Sequence, residues 1–418
     1  MSTAQQSARE LQSNGLRIFP LPVPGTSALS VLLAFDAGAR SERAEENGIA
    51  HFLEHLVFKG GERYDTHQAI NRTAEGMGGV LNAYTSQDLV AFHITVRAQS
   101  AIGAIDLLSD FVGKPRIAAE DLERERGVVI QEINRANDQP AVIAENLIDQ
   151  AAFGEHPLGR TVLGPVEHIA GFSRDQVIAF RQRRWSGRRG GAFLAGNLEH
   201  LPAPEQLDEL LSRLPDLPLS EPFPPAPPPR FEKLVRERDT NQSHLRLIYR
   251  STRPLGTRAE RAAAAVFATI LGGSMSSRLF EELRERRGLC YSVYALAHSY
   301  ADVPILQIGS GLKSEQCIEA YALIRQIVSE LAERGPSEEE VGRARAYTAG
   351  RLALAFENSS VMARGAAEEV IVHGEEPDPE AMIAAVDGVD AQALREIGGS
   401  LILEPAVACV GPHSQSDF

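Results

Sequence analysis

Apolar positions along this chain follow two periods, one near two residues and one near three and a half. Ala28 to Asp36 is almost continuously apolar and predicts a buried strand, as does Leu245 to Arg250. Gly79 to Thr85, Val90 to Val96, Tyr291 to Ala297 and Pro304 to Gly311 alternate or are rich in β-branched residues, and predict further strands. Helical spacing runs through Gly48 to Phe58, Ala118 to Asn137, Arg261 to Leu271, Ser314 to Glu333 and Ser337 to Glu357. Ser173 to Arg184 is a further helix, opened by Ser173 and Gln176 as a capping box. Strands in succession followed by helices predict an α+β fold, with sheets covered on one face by helices rather than a doubly wound parallel sheet.

A stretch from Leu201 to Pro229 holds ten of the chain's 24 prolines and reads as an extended linker without helix or central strand. It divides the 418 residues into an N-terminal domain (1–215), a linker (216–229) and a C-terminal domain (230–418). The two domains look like diverged copies. Each has a strand, then a helix, then a Gly-Gly pair: Gly60-Gly61 in the first and Gly272-Gly273 in the second, an offset of 212 positions. At that offset His51, Glu54 and His55 fall on Ala263, Val266 and Phe267. The second copy keeps the helix and loses every group able to bind a metal.

Composition narrows the function classes. A formal net charge of −14 argues against nucleic acid as the main partner, because phosphate binding needs a basic face. Cys290, Cys317 and Cys409 are widely separated and form no C-x-x-C pair, so neither a disulfide framework nor a thiolate zinc site is indicated. No secretory signal or membrane-spanning apolar run is visible, and the expected setting is a reducing cytoplasm. The basic cluster Arg181, Arg183, Arg184, Arg188 and Arg189 around Trp185 reads as a solvated helix end and loop. The histidines other than His51 and His55, among them His93, His168 and His413, lack ligand spacing and read as structural or exposed.

The chemistry concentrates in His51-Phe-Leu-Glu54-His55. Histidines four apart project from one helical face, and two imidazoles so placed bind one Zn²⁺ with the glutamate beside the open position. Apolar Ile49, Phe52, Leu53, Leu56 and Val57 predict a buried helix, in which unpartnered polar groups would be costly. A catalytic zinc needs a third protein ligand. The segment Glu120 to Glu132 is the natural source. Glu125 and Glu132 are two turns apart on one face, and spacing alone does not choose between them. Glu54 is the candidate general base.

Asn47-Gly-Ile-Ala-His-Phe-Leu-Glu-His-Leu-Val-Phe-Lys-Gly60 and Leu81-Asn-Ala-Tyr-Thr-Ser86 resemble the pitrilysin-type inverzincin metallopeptidases, in their half-length, processing-peptidase-like branch. Gly272-Gly-Ser-Met-Ser-Ser-Arg-Leu-Phe280 and Arg287-Gly-Leu-Cys-Tyr-Ser292 resemble that family's C-terminal domain. The resemblance implies two homologous α+β domains, each an antiparallel-rich mixed sheet covered by helices. It implies His51, His55 and Glu132 as ligands of one Zn²⁺ per chain, with Glu54 as base and Glu125 in support. It implies Arg284 and Tyr291 as the pair that holds substrate and stabilises the oxyanion, and Asn82 and Ala83 on an edge strand that pairs with a peptide substrate. Short members close their chamber by dimerising, so a homodimer is expected, or a heterodimer with a related chain. The alternative function is a noncatalytic or partner-dependent subunit of a heterodimeric peptidase. Two positions depart from the pattern. Where relatives that read arginine carry acidic residues, this chain has Val142 and Asn146, with Glu145 and Asp149 nearby.

Overall fold

The structure is a computed structural model and describes residues 8–11, 13–216 and 223–418. Two compact units form, and each is discontinuous in sequence. Unit 1 comprises Met1–Ile133, Thr161–Pro224 and Leu354–Pro377; unit 2 comprises Asn134–Arg160, Pro225–Ala353 and Asp378–Phe418.

Unit 1 is built on six strands: β1 (Arg9–Glu10), β2 (Arg17–Pro22), β3 (Ala28–Phe35), β4 (Val80–Thr85), β5 (Val90–Arg97) and β6 (Gly190–Gly196). Their order is β1-β2-β6-β3-β5-β4, with β2 and β6 parallel and every other pair antiparallel. The near-continuous apolar run of β3 is buried along almost its whole length, as a central strand requires. Against this sheet pack α1 (Ile49–Val57), α2 (His67–Gly76), α3 (Ala101–Gly113) and α4 (Ala119–Asn137), the last running past the unit's boundary.

Unit 2 repeats the plan with β7 (Lys233–Glu237), β8 (Gln242–Arg250), β9 (Cys290–Tyr300), β10 (Val303–Lys313) and β11 (Ala406–Gly411), in the order β7-β11-β8-β10-β9. Here β7 and β11 are parallel and the rest antiparallel. In chain order these five strands match β2 to β6 one for one, so the repeat read from a single strand-helix-GlyGly match extends through the whole sheet. The two units are α+β domains of one topology.

Each unit also contains a helix from the other half of the sequence. The helix α5 (Pro140–Phe153) packs on β8 and β11 of unit 2, where Ile148, Ala151, Ala152 and Phe153 meet Ile248, Ala406 and Ala408. Conversely, α12 (Ser359–Ile371) lies on β3 and β6 of unit 1, with Ser359 Oγ 2.9 Å from Ser30 Oγ. The linear boundaries 1–215 and 230–418 therefore describe the strands but not these two helices. Local periodicity places a helix without saying which sheet buries it.

The remaining helices are α6 (Val166–Gly171), α7 (Arg174–Arg184) and α8 (Pro204–Leu211) in unit 1. Unit 2 adds α9 (Arg258–Ala268), α10 (Cys317–Arg334), α13 (Pro379–Asp387), α14 (Ala391–Ser400) and α11 (Glu338–Phe356), the last running past the unit's boundary at Ala353. The predicted capping box of α7 is formed by Ser173 and Gln176. Two readings need correction. The proline-rich stretch does hold a helix, because Pro204 stands at the first position of α8, where its missing N–H removes no internal bond. The part of the expected linker from 217 to 222 lies outside the described residues. The basic cluster is largely not solvated. Arg184 and Trp185 are buried, Arg181 donates to the carbonyls of Val112 and Gly113, Arg183 pairs with Glu46, and Arg189 pairs with Asp36. Phe223 lies over the guanidinium groups of Arg40 and Arg184, and Arg40 donates to the Pro224 carbonyl at 3.0 Å. Among the described residues no helix is long and apolar enough to cross a membrane.

Candidate metal centre

The helix α1 is held at its N-terminus by a buried carboxylate. Glu42 accepts hydrogen bonds from Gly48 N (3.0 Å), Ala50 N (2.8 Å) and Asn47 Nδ2 (3.0 Å), satisfying amides that have no partner within the helix. Burial pushes the Glu42 carboxyl up to about 8, against the pull of those bonds. Gly48 takes φ +98, and a Cβ there would stand 2.7 Å from the Leu163 carbonyl oxygen, so only glycine fits this entry. At the other end, the amides of Arg63 and Tyr64 donate to Asp110, fixing the turn through Gly60-Gly61. Ile49, Phe52, Leu53, Leu56 and Val57 fill the core of unit 1, leaving His51, Glu54 and His55 on the remaining face.

The two imidazoles lie one turn apart with ring centroids 4.7 Å from each other. Both Nε2 atoms converge on Glu132 of α4, His51 at 3.8 Å and His55 at 3.5 Å from Oε2. Ligand atoms about 2.1 Å from a tetrahedral ion are about 3.4 Å apart, so these separations suit one small cation with little adjustment. Two imidazoles and a carboxylate are also a donor set of catalytic zinc sites. His51 is 9% exposed and forms no hydrogen bond among the described residues, its Nδ1 being buried without a partner. Burial, with His55 alongside, pushes its pKa down to about 4, so the ring is neutral and carries the lone pair a metal needs.

Glu125 faces His55 Nδ1 at 3.3 Å, and Lys59 Nζ lies 2.7 Å from its other oxygen. Burial raises the Glu125 carboxyl, but the bonds from His55 and Lys59 and the Lys59 charge outweigh it and hold the pKa below its usual value. The structure thus separates the alternatives that spacing left open: Glu132 faces the Nε2 atoms, and Glu125 holds His55 from behind. Glu54 is 9% exposed, and burial raises its pKa against a 2.5 Å hydrogen bond from Thr85 Oγ1. Sequence reasoning missed Thr85, Lys59 and Glu42. Of these only Thr85 left a signal, since alternation along β4 puts it on the same side as Ala83.

Asn82 and Ala83 lie on β4, the edge of the sheet, paired on one side with His93 and Phe92 of β5. The Ala83 amide also donates to Asn82 Oδ1 at 2.9 Å. In unit 2, Arg284 lies in a π-helical segment (Phe280–Arg286), a distortion frequent at functional sites. Its guanidinium stacks over the rings of Phe280 (4.7 Å) and Tyr291 (5.8 Å), and Tyr291 is 80% exposed. Glu145 is engaged inside unit 2 by Arg246, Tyr294 (2.8 Å) and Gln307 (2.6 Å). Burial and Glu145 push the Asp149 carboxyl up to about 8.

Comparisons with known proteins agree with this architecture. The pattern of the insulinase family (peptidase family M16) matches residues 23–166, and that of the peptidase M16 inactive domain matches residues 171–347. An uncharacterized zinc protease of Mycobacterium bovis is 31% identical over 96% of this chain and 92% of its own length. One of Streptomyces coelicolor is 28% identical over 95% of this chain and 88% of its own. A crystal structure from Pseudomonas fluorescens described as a peptidase M16 inactive domain superposes with a TM-score of 0.88. It is 19% identical and covers 97% of this chain and 98% of that one, which shows a shared fold. With both halves matched in order, the chain belongs to peptidase family M16, the insulinase family, as a half-length member.

Proposed function

We propose that this protein is a zinc-dependent endopeptidase of the H-x-x-E-H type that hydrolyses peptides or unfolded polypeptide segments. The observation that carries the reading is the convergence of His51 Nε2 and His55 Nε2 on Glu132 Oε2, with the carboxyl of Glu54 on the same helix face. The names of the zinc protease relatives support it.

His51, His55 and Glu132 would hold one Zn²⁺, which supplies Lewis acidity toward water and the scissile carbonyl. Glu54 takes the proton of the attacking water and returns it to the leaving amine. Thr85 fixes one oxygen of that carboxyl and leaves the other for the proton. Glu125 keeps the His55 ring oriented, and Lys59 holds Glu125. The free edge of β4 at Asn82 and Ala83 aligns an extended peptide by main-chain hydrogen bonds. Arg284 and Tyr291 donate to the carbonyl oxygen as it gains charge. A homodimer in which one copy lends this pair to the other's metal site accounts for both halves of the machinery in one sequence. Glu145 is already committed, and Val142 and Asn146 are neutral, so cleavage does not require an arginine beside the cut.

Glu54→Gln is the decisive variant. It is expected to keep one zinc per chain at the His51 site, by elemental analysis, and to lose turnover of a quenched peptide library. Undiminished turnover would refute the assignment. Mixing Glu54→Gln chains with Arg284→Ala chains should restore at most about half the activity if the pair acts in trans, since half the composite sites are then intact.

A further inference from the structure

Two of the chain's three cysteines meet a histidine far from the His51 helix in sequence. Cys317 is the first residue of α10, Cys409 lies in the interior strand β11, and His413 follows that strand by two residues. Their sulfur and ring-nitrogen atoms all lie within 4.8 Å of one another, both thiols fully buried and the imidazole half-buried at the rim. From this geometry we propose that unit 2 carries a second metal site, in which Cys317, Cys409 and His413 bind a soft d¹⁰ cation, Zn²⁺ or Cu⁺.

Metal–sulfur bonds near 2.3 Å and a metal–nitrogen bond near 2.0 Å put tetrahedral donors about 3.5 to 3.8 Å apart, within small side-chain rotations of the observed cluster. Thiolate and imidazole donors select such cations over Mg²⁺ or Ca²⁺. The surroundings suit ligation as well. The His413 ring is oriented by a chain of hydroxyls: Ser314 Oγ donates to the Thr240 carbonyl (2.8 Å), and Ser243 Oγ donates to Ser314 Oγ (3.0 Å). With its one proton so used, Ser243 accepts from His413 Nε2 at 2.7 Å, which leaves the lone pair on Nδ1. An imidazole whose far nitrogen is fixed by an outer acceptor is the usual form of a ligating histidine. A core cysteine alone behaves as a small apolar side chain and needs no imidazole beside it. Cys290, buried elsewhere in the same unit, shows that ordinary case.

The test uses the full chain with His51→Ala and His55→Ala, which removes the first site. Titrated with Co²⁺ as a spectroscopic probe, this protein should show a sulfur-to-cobalt charge-transfer band that saturates at one ion per chain and is displaced by Zn²⁺. Adding Cys317→Ser with Cys409→Ser should abolish the band, His413→Ala should weaken binding by at least about tenfold, and Cys290→Ser should change nothing. Cu⁺ supplied with a competing chromophoric chelator distinguishes the two cations. Protection of two thiols from a thiol reagent by Zn²⁺ in the otherwise unchanged protein gives a reading that does not depend on the folding of the cysteine variants. Absence of the band, its survival in the double serine variant, or loss of both thiols to a disulfide without metal uptake would overturn the proposal.

Discussion

Glu125 touches no substrate in the proposed mechanism, so its replacement isolates what the support behind a ligand contributes. Its Oε2 stands 3.3 Å from His55 Nδ1, its Oε1 stands 2.7 Å from Lys59 Nζ, and its side chain is largely buried. A charge-assisted hydrogen bond in such a setting contributes about 1.5 to 3 kcal/mol. Only the part that differs between bound and free ligand reaches the metal, which for a support of this kind is about ten- to a hundredfold in affinity. Glu125→Gln keeps an acceptor for His55 Nδ1 but leaves the Lys59 ammonium unpaired beside a divalent cation. It should therefore raise the zinc dissociation constant by about tenfold, and Glu125→Ala, which also frees the ring, by nearer a hundredfold. The assay is zinc competition against a chromophoric chelator, read beside kcat at saturating zinc and the melting temperature of the metal-free chain. Affinity should fall while kcat at saturation changes far less. Unchanged zinc affinity in both variants, or a loss of kcat that excess zinc does not recover, would refute this division between Glu132 as ligand and Glu125 as support.

Three further outcomes follow from single contacts. Thr85→Ala removes the hydrogen bond that holds Glu54 and should lower kcat by about ten- to a hundredfold with zinc content intact, whereas Thr85→Ser should recover most of it; a change confined to KM would count against the role. Gly48→Ala forces a Cβ against the Leu163 carbonyl at φ +98. It should destabilise unit 1 by about 2 to 4 kcal/mol in urea unfolding, and a loss too small to measure would mean the helix entry relaxes freely. Glu340, at the start of α11, accepts Arg278 Nε at 2.7 Å and Nη2 at 2.9 Å and the Ser337 amide at 2.8 Å; led by the Arg278 hydrogen bond, these lower its pKa from 4.5 to about 2. The folded value is the lower one, so the stabilisation is complete above about pH 4.5 and is lost as pH falls toward 2. The full shift corresponds to about 3.4 kcal/mol, reduced by partial exposure to about 1 to 2. Glu340→Gln should thus be destabilising at pH 7 and nearly neutral near pH 2; an equal effect at both would refute the linkage.

Legibility followed the range of the interactions involved. The strands β4 and β5 were readable, though not their pairing, because period-two alternation is local, and α7 because Ser173 and Gln176 are three apart. His51 and His55 were readable because four residues make one helical turn. By contrast, nothing local says that α5 is buried by the second sheet and α12 by the first, since burial demands only an apolar face and not a particular partner. The charges of Arg184 and Arg189 suggested solvent, yet Asp36, Phe223 and the packing of Trp185 draw that segment inward. Cys317, Cys409 and His413 escaped for a related reason: strand pairing brings β11 beside β8 and places a loop histidine at the start of a helix distant in sequence.

The internal repeat gives the metal centre an argument independent of any relative. At the offset of 212 positions, α1 corresponds to α9, and His51, Glu54 and His55 correspond to Ala263, Val266 and Phe267, all buried in the core of unit 2. The same strand order surrounds both helices, so the second copy shows what this fold places at these positions when packing alone decides. Placing an unbonded imidazole and a carboxyl there instead costs about 1 to 3 kcal/mol for each unsatisfied group. Unit 1 bears that cost at His51, which forms no hydrogen bond among the described residues, and pushes up the pKa of Glu54 by burial. Selection for stability alone would favour the apolar set. The converse holds for the other pair: Tyr291 falls at the offset on Gly79, so the first copy has no phenol to accompany an arginine. Under the proposed mechanism each copy keeps a different half of the chemistry, the expected result if neither half is selected to act alone.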